Sequence, residues 1–216
     1  MKEEKIEYTV VRSARRTLSV TVRDGAVAVR APYGMTDERI ASFIESQRQW
    51  VLRQLARCAR VSETFKAVRE GRSILLFGKE KALVLGGAKN GETEETIVLK
   101  SLSAAKPYYM KTRAFLLVEK TAVLSVATGL HAEDVTVRDF KSRWGCCGAD
   151  KKIRLNWRLL MLPVSLQEYV IVHELCHLVH LDHSALFWKE VEKFIPDYKT
   201  RRKQLKDYAF LTLMYR

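Results

Sequence analysis

Residues 17–31 alternate polar and apolar side chains, Thr17-Leu18-Ser19-Val20-Thr21-Val22 on one side of Asp24-Gly25 and Val27, Val29 and Ala31 on the other, until Pro32 stops the run. A period of two around Asp-Gly predicts a β-hairpin, because these residues accept the positive φ of a tight turn. The period then lengthens. Ile40, Phe43, Ile44, Gln47, Trp50, Val51 and Leu55 recur every three or four positions, predicting one helix capped by Thr36, with Asp37 and Glu38 in its first turn, running to about Cys58. Short β-type runs follow at Ile74–Phe77, Ala82–Leu85 and Thr96–Leu99, with the glycine-rich 86–91 stretch as a loop tip. Residues 1–100 are therefore expected to form a β-rich accessory layer with one helix.

After Pro107 the positions Tyr108, Phe115, Val118, Ala122 and Val126 keep helical spacing up to Gly129, a suitable residue just past a helix end. Period two returns at Val135–Phe140, Arg143–Cys147 and Ile153–Trp157, predicting three strands. Ser165-Leu166-Gln167-Glu168 reads as a capping box, so a helix is expected from about Leu166 to Leu181. Ser184 caps a further helix with the stripe Phe187, Trp188, Val191, Phe194 and Ile195, ended by Pro196. The stretch from Lys199 to Lys206 is basic, and the apolar Tyr208–Tyr215 is expected to pack back on the core. Residues 101–216 form the expected catalytic region, and the fold class is α+β.

Composition narrows the partners. A chain of 216 residues with 47% hydrophobic and 29% charged positions has the make-up of a folded domain, which excludes disorder and collagen-like repeats. Its formal net charge of +13 favours polyanionic partners such as nucleotides or nucleic acid. The four cysteines, Cys58, Cys146, Cys147 and Cys176, contain no CxxC pair, so they read as reduced thiols and not as a zinc ribbon. The stretch MKEEKIEYTV has no apolar leader and no apolar run approaches a membrane span, so the expected location is cytoplasmic, with no membrane partner.

The chemistry is concentrated in His173-Glu174-Leu175-Cys176-His177, an HExxH sequence inside a predicted helix. Residues four apart share a helical face about 6 Å apart along the axis, so both imidazoles can reach one Zn²⁺. Glu174 then lies at the flank of that ion, where a carboxylate can take a proton from activated water. Four of the five histidines fall within residues 173–183. His183 is the preferred third ligand, because the cap at Ser184 requires the chain to leave the helix near Leu181-Asp182. Glu190 or Glu192 on the next helix is the alternative. His180 faces either the site or solvent. Three histidine ligands predict metal affinity falling as pH drops through about 6.5, more steeply than with two histidines and a glutamate.

With these residues in view, the sequence resembles the YgjP-like metallopeptidase family, relatives of the SprT-like zinc proteases. The resemblance runs from the hairpin segment ARRTLSVTV and Pro32 through SRWGCCGADKKIRLNWRLLMLP to YVIVHELCHLVHLDHSALFWKEVEKFIPDYKTRR. Cys146 stands where family sequences usually carry the serine of RWGSC. The resemblance implies a compact zincin-like α+β domain, zinc held by His173, His177 and His183, and a catalytic Glu174. It also brings a nucleotide-pyrophosphatase role attached to the family, and the DNA or RNA contact that SprT-like relatives suggest.

The expected function is thus a zinc metallopeptidase acting on peptide or protein substrates, with Glu174 as general base. In a zincin-like arrangement an edge strand from 143–147 or 153–157 could align an extended peptide. Trp144, Trp157, Arg143, Asn156 and Arg158 are expected to serve packing and sheet structure more than substrate contact. The alternatives are a metal-dependent nucleotide pyrophosphatase, and a nucleic-acid-binding module with a structural metal that uses Arg12, Arg15, Arg16, Lys199, Arg201, Arg202 and Lys203.

Overall fold

The computed structural model describes residues 5–215, so Met1 to Glu4, part of the stretch read for a leader, and Arg216 lie outside the described residues. Strands β1 (Thr9–Ser13), β2 (Ser19–Arg23) and β3 (Ala26–Pro32) form a sheet in the order β1-β3-β2. The predicted hairpin joins β2 to β3, with Asp24 and Gly25 at φ 49° and 81° as its turn type demands. β1 pairs parallel with β3, a partner the local pattern did not announce.

Alternation along β3 turns Val27, Val29 and Ala31 inward, where they pack with Ile40, Ile44 and Val51. These last come from α1 (Asp37–Ser46) and α2 (Arg48–Thr64). Thr36 caps α1 as expected, its side chain accepting from the Arg39 N–H. The single helix expected over 36–58 is two, because Gln47 leaves helical geometry at φ −99° and ψ 3°. No proline or glycine marks that break.

Contacts divide the chain into Met1–Lys66 and Ala67–Arg216. The short α3 (Lys66–Arg69) spans the division. The strands at 73–99 therefore belong to the unit that carries the histidines. They are β4 (Ser73–Leu76), β5 (Lys79–Leu85), β6 (Gly91–Glu92) and β7 (Thr96–Leu99), ordered β4-β5-β7-β6. The turn between β4 and β5 docks on the segment leading into the HExxH helix. Phe77 N–H donates to the Leu160 carbonyl at 2.8 Å and Gly78 N–H to that of Met161 at 3.1 Å. Gly78 has φ 79°, and a Cβ there would meet the Pro163 ring at 2.7 Å, so only glycine lets the two chains approach.

Next comes α4 (Ala105–Thr128), closed by Gly129 in the left-handed region. Its outward stripe corrects the sequence expectation: Phe115, Val118 and Val126 are exposed, while Tyr109, Leu117, Thr121 and Ser125 face the core. Thr121 satisfies its buried hydroxyl on the Leu117 carbonyl, which is how a polar residue sits on the inner face. Strands β8 (Asp134–Arg138), β9 (Gly145–Cys147) and β10 (Lys152–Asn156) are ordered β8-β10-β9, so β9 is an edge. The helices α5 (Val164–Cys176), α6 (Ala185–Phe194) and α7 (Tyr198–Leu205) complete the unit, followed by 3-10 turns over Lys206–Leu213. This is an α+β fold.

Two details at α5 depart from expectation. The capping box is not formed: the helix starts at Val164 behind Pro163, without a side-chain cap. Gln167 instead donates to the Leu162 carbonyl at 2.8 Å. The helix also ends at Cys176, short of the expected Leu181, for a reason given below. Among the described residues no helix is long and apolar enough to cross a membrane, and all four cysteines are free.

Arg158 ties the end of the chain to this unit. Its side chain is 1% exposed and donates to the Met214 carbonyl from Nε and Nη2 at 3.1 and 2.7 Å, and to Asp139 from Nη1. Tyr215 packs edge-on against Trp157, and Phe210 and Leu211 are buried, as the apolar run at 208–215 implies. Burial works to raise the Asp139 pKa, but hydrogen bonds from Arg158 and Lys106 prevail and hold it near 2. Arg158→Met should lower unfolding stability by about 3 kcal/mol in denaturant titrations, since it strands buried acceptors. The depressed Asp139 pKa contributes stability above the unfolded value of about 3.9 that is lost as pH falls toward about 2. Asp139→Asn should therefore flatten the stability–pH curve between those limits.

Candidate metal centre

Helix α5 is buried almost all round, with Val170, Ile171, Val172, Leu175 and Cys176 all in the core. That fixes its rotation and turns His173 and His177 toward one side. His177 sits at the helix end, and its Nδ1 lies 2.8 Å from the His180 carbonyl. A carbonyl only accepts, so Nδ1 carries the proton and Nε2 keeps the lone pair. The last N–H groups bond three residues back, Leu178 to Leu175 and Val179 to Cys176, which tightens the turn and takes the chain out of the helix. His180 contributes its backbone oxygen, and its ring is outside the cluster.

The early exit brings His183 back over the helix. Its Nε2 is 3.1 Å from His173 Nε2, and one ring nitrogen from each of His173, His177 and His183 lies within 4.8 Å of the others. Two imidazoles on one tetrahedral zinc, at about 2.0–2.1 Å each, stand roughly 3.3 Å apart, so this donor set fits such an ion. Ser184 begins α6 as predicted, its hydroxyl accepting from the Phe187 N–H. The first turn of that helix supplies the backing. The Phe187 ring is fully buried, with its centroid 4.8, 4.4 and 4.9 Å from those of His173, His177 and His183. Trp188 stacks on His183 at 5.7 Å. Glu190 and Glu192, the alternative third ligands, lie outside the cluster and pair with Lys193 and Lys199.

Glu174, one residue beyond His173, is 6% exposed. It faces β9, where the Cys147 backbone N–H hydrogen-bonds its carboxylate. Burial pushes the Glu174 pKa up to about 7, while that hydrogen bond and the charge of Arg143 pull it down. Gly145 is the nearest wall: a Cβ there would stand 2.9 Å from both Cγ and Oε1 of Glu174. Burial also keeps His173 neutral, lowering its pKa to about 3 with help from the neighbouring imidazoles. His173 Nδ1 is buried without a hydrogen-bond partner among the described residues.

His173 and His183 open on a cleft of about 630 Å³, a volume suited to a small ligand or a few residues of a peptide. Trp144 and Gly145 of the β9 region line it, together with Tyr169 and Glu174 of α5. Arg202, Leu205, Lys206 and Ala209, from α7 and the turns after it, complete the lining with Val170 and Trp188. Burial raises the Tyr169 pKa to about 12, against the charge of Arg202. Trp157, Asn156 and Arg158 serve structure, as expected. Asn156 donates to the Phe140 and Arg143 carbonyls at 2.9 Å and so shapes the loop before β9.

Sequence reasoning did not single out Gly145, Tyr169, Trp188 or Arg202 for the cleft. Gly145 carried a weak signal, since glycine inside a strand marks a close approach. Trp188 read as part of a helix stripe and Arg202 as part of a basic run.

A comparison with curated proteins finds no match. Among solved structures, the metallopeptidase zymogen of Pyrococcus abyssi abylysin is similar at 25% identity, covering 41% of this chain and 90% of that chain with a TM-score of 0.38. At that score the likeness bears on neither fold nor chemistry. The family comparison is of a different order, for it takes in both strands of the hairpin, the β9 edge, the HExxH helix and the cleft wall. Over residues 16–208 the chain matches the YgjP-like metallopeptidase domain, and it belongs to that family of metal-dependent peptidases.

Proposed function

We propose that the protein is a zinc-dependent peptidase in which His173, His177 and His183 hold the ion and Glu174 is the general base. The observation that carries this reading is the convergence of three imidazole nitrogens beside a buried carboxylate, with His173, His183 and Glu174 lining one cleft. Three neutral nitrogen donors suit zinc and leave a coordination position free, which distinguishes a catalytic site from a closed structural one. The ion supplies Lewis acidity toward water and toward the scissile carbonyl.

The chain's own residues do the rest. The Glu174 carboxylate, held against Gly145 by the Cys147 N–H, accepts a proton from the attacking water and returns it to the leaving amine. Burial raises the proton affinity of the carboxyl, so it can serve in both directions near neutral pH. Register supports alignment of an extended substrate along β9. The Trp144 carbonyl bonds Asn156 N–H on the β10 side at 2.7 Å, so the alternate groups face outward, where Glu174 takes the Cys147 N–H and Gly145 lies beside the cleft. The +13 charge and the basic 199–203 run still allow nucleic-acid contact, but Arg12 and Arg201 of that set are tied to Asp37 and Asp197.

Metal analysis and turnover test the assignment. His173→Ala, His177→Ala and His183→Ala should each lose the ion, with affinity falling at least about a hundredfold, while Glu190→Ala and Glu192→Ala keep it. Glu174→Gln should keep the ion and lower kcat roughly 10²–10⁴-fold in a peptide-cleavage assay. Retained turnover in Glu174→Gln would end the general-base role. Gly145→Ala should leave metal content intact and reduce kcat, because the new methyl displaces the carboxylate it touches. Structures and metal titrations of that variant separate displacement of Glu174 from loss of the ion.

A further inference from the structure

The cleft is asymmetric in charge. Its lining includes one carboxylate, Glu174, against two cations, Arg202 and Lys206. The two cations are four residues apart and project from one face of the α7 region, with Leu205 between them. Three of the nearby acids are engaged elsewhere. Asp197 and Glu168 pair with Arg201, and Glu192 with Lys199. Among the described residues neither Arg202 nor Lys206 makes an ion pair.

Arg202 is also held in place. Its guanidinium lies 4.6 Å from the centroid of Trp188, the ring that stacks on His183 and, at 5.2 Å, on Tyr198. Arg202 lines the cleft together with Tyr169 and His173. A guanidinium braced on an aromatic face loses little freedom on binding an anion, and its forked donors match a carboxylate.

Resting on the peptidase reading above, we propose that the cleft selects peptides carrying a carboxylate near the scissile bond, which Arg202 grips and Lys206 attracts. That carboxylate is either an Asp or Glu side chain or the peptide's own C-terminus. Both present the same planar oxygen pair, and both are repelled by an acidic wall but not by this one.

The test uses the metal-loaded enzyme and matched peptide sets, Glu-containing against Gln-containing, each with a free or an amidated C-terminus. For the wild type, kcat/KM for the carboxylate form should exceed that of its neutral twin roughly 10- to 100-fold at low salt, the range expected for a hydrogen-bonded charge. The preference should shrink as salt rises. It should fall toward unity in Arg202→Gln with Lys206→Gln, persist in part in Arg202→Lys, and turn toward Lys-containing peptides in Arg202→Glu. Whether the Glu or the free C-terminus drives the ratio identifies the source.

Equal cleavage of acidic and neutral twins by the wild type would overturn the carboxylate subsite and leave the peptidase intact. Absence of any peptide cleavage would sink the peptidase reading instead. The subsite is then judged by fluorescence anisotropy of the same peptides on metal-loaded Glu174→Gln, where equal affinity for the twins overturns it. Charge-blind peptide binding combined with nucleoside triphosphate binding that Arg202→Gln abolishes would assign the cations to phosphate, and would also overturn the proposal.

Discussion

Three imidazoles can meet at one point only if the chain carrying the third stops being a helix in time, and the architecture around the cleft follows from that requirement. His173 and His177 need one turn of α5, whereas a helix continued to residue 183 would carry the third ring about 15 Å from the first. The His177 Nδ1 contact to the His180 carbonyl meets two needs at once. It draws the chain out of the helix and it leaves His177 Nε2 free to bind. The loop this creates has little packing of its own. Phe187 and Trp188 therefore act as the wall that holds the exposed His183 in register with the two rings on the helix.

The carboxylate obeys the opposite constraint. Glu174 is buried on a largely apolar helix, and its hydrogen bond comes from strand β9. Close approach of that strand requires a residue without a side chain, and Gly145 provides it. The Cys147 N–H is then available because β9 is an edge strand whose outer groups no other strand takes. Sheet order, a glycine and a helix rotation thus act together on one acid, whose high proton affinity is a product of burial.

Supports further from the chemistry act on the same parts. The turn at Gly78 presses on Pro163 and sets where α5 begins, while Arg158 fastens the Met214 carbonyl and with it the chain that follows the cleft wall. The β4–β7 sheet thereby belongs to the scaffold of the site, although its residues carry no catalytic chemistry.

Much was legible in the sequence because it depends on neighbours along the chain. The Asp24-Gly25 turn, the Thr36 and Ser184 caps, the left-handed Gly129 and the i,i+4 histidines each rest on backbone conformation within a few residues, and each took the form its local chemistry required. Family resemblance in the HExxH segment carried the choice of chemistry. Other features depend on what lies across space. The stripe of α4 points outward while Thr121 sits on the inner face with its hydroxyl satisfied by the Leu117 carbonyl, and periodicity alone does not count such partners. The end of α5 was set by a bond from a ring nitrogen to a carbonyl three residues on. Arg202 in a basic run and Gly145 in a short strand acquired their places only when α7 and β9 both packed on α5, since charge and absence of a side chain have no direction until tertiary packing gives them one.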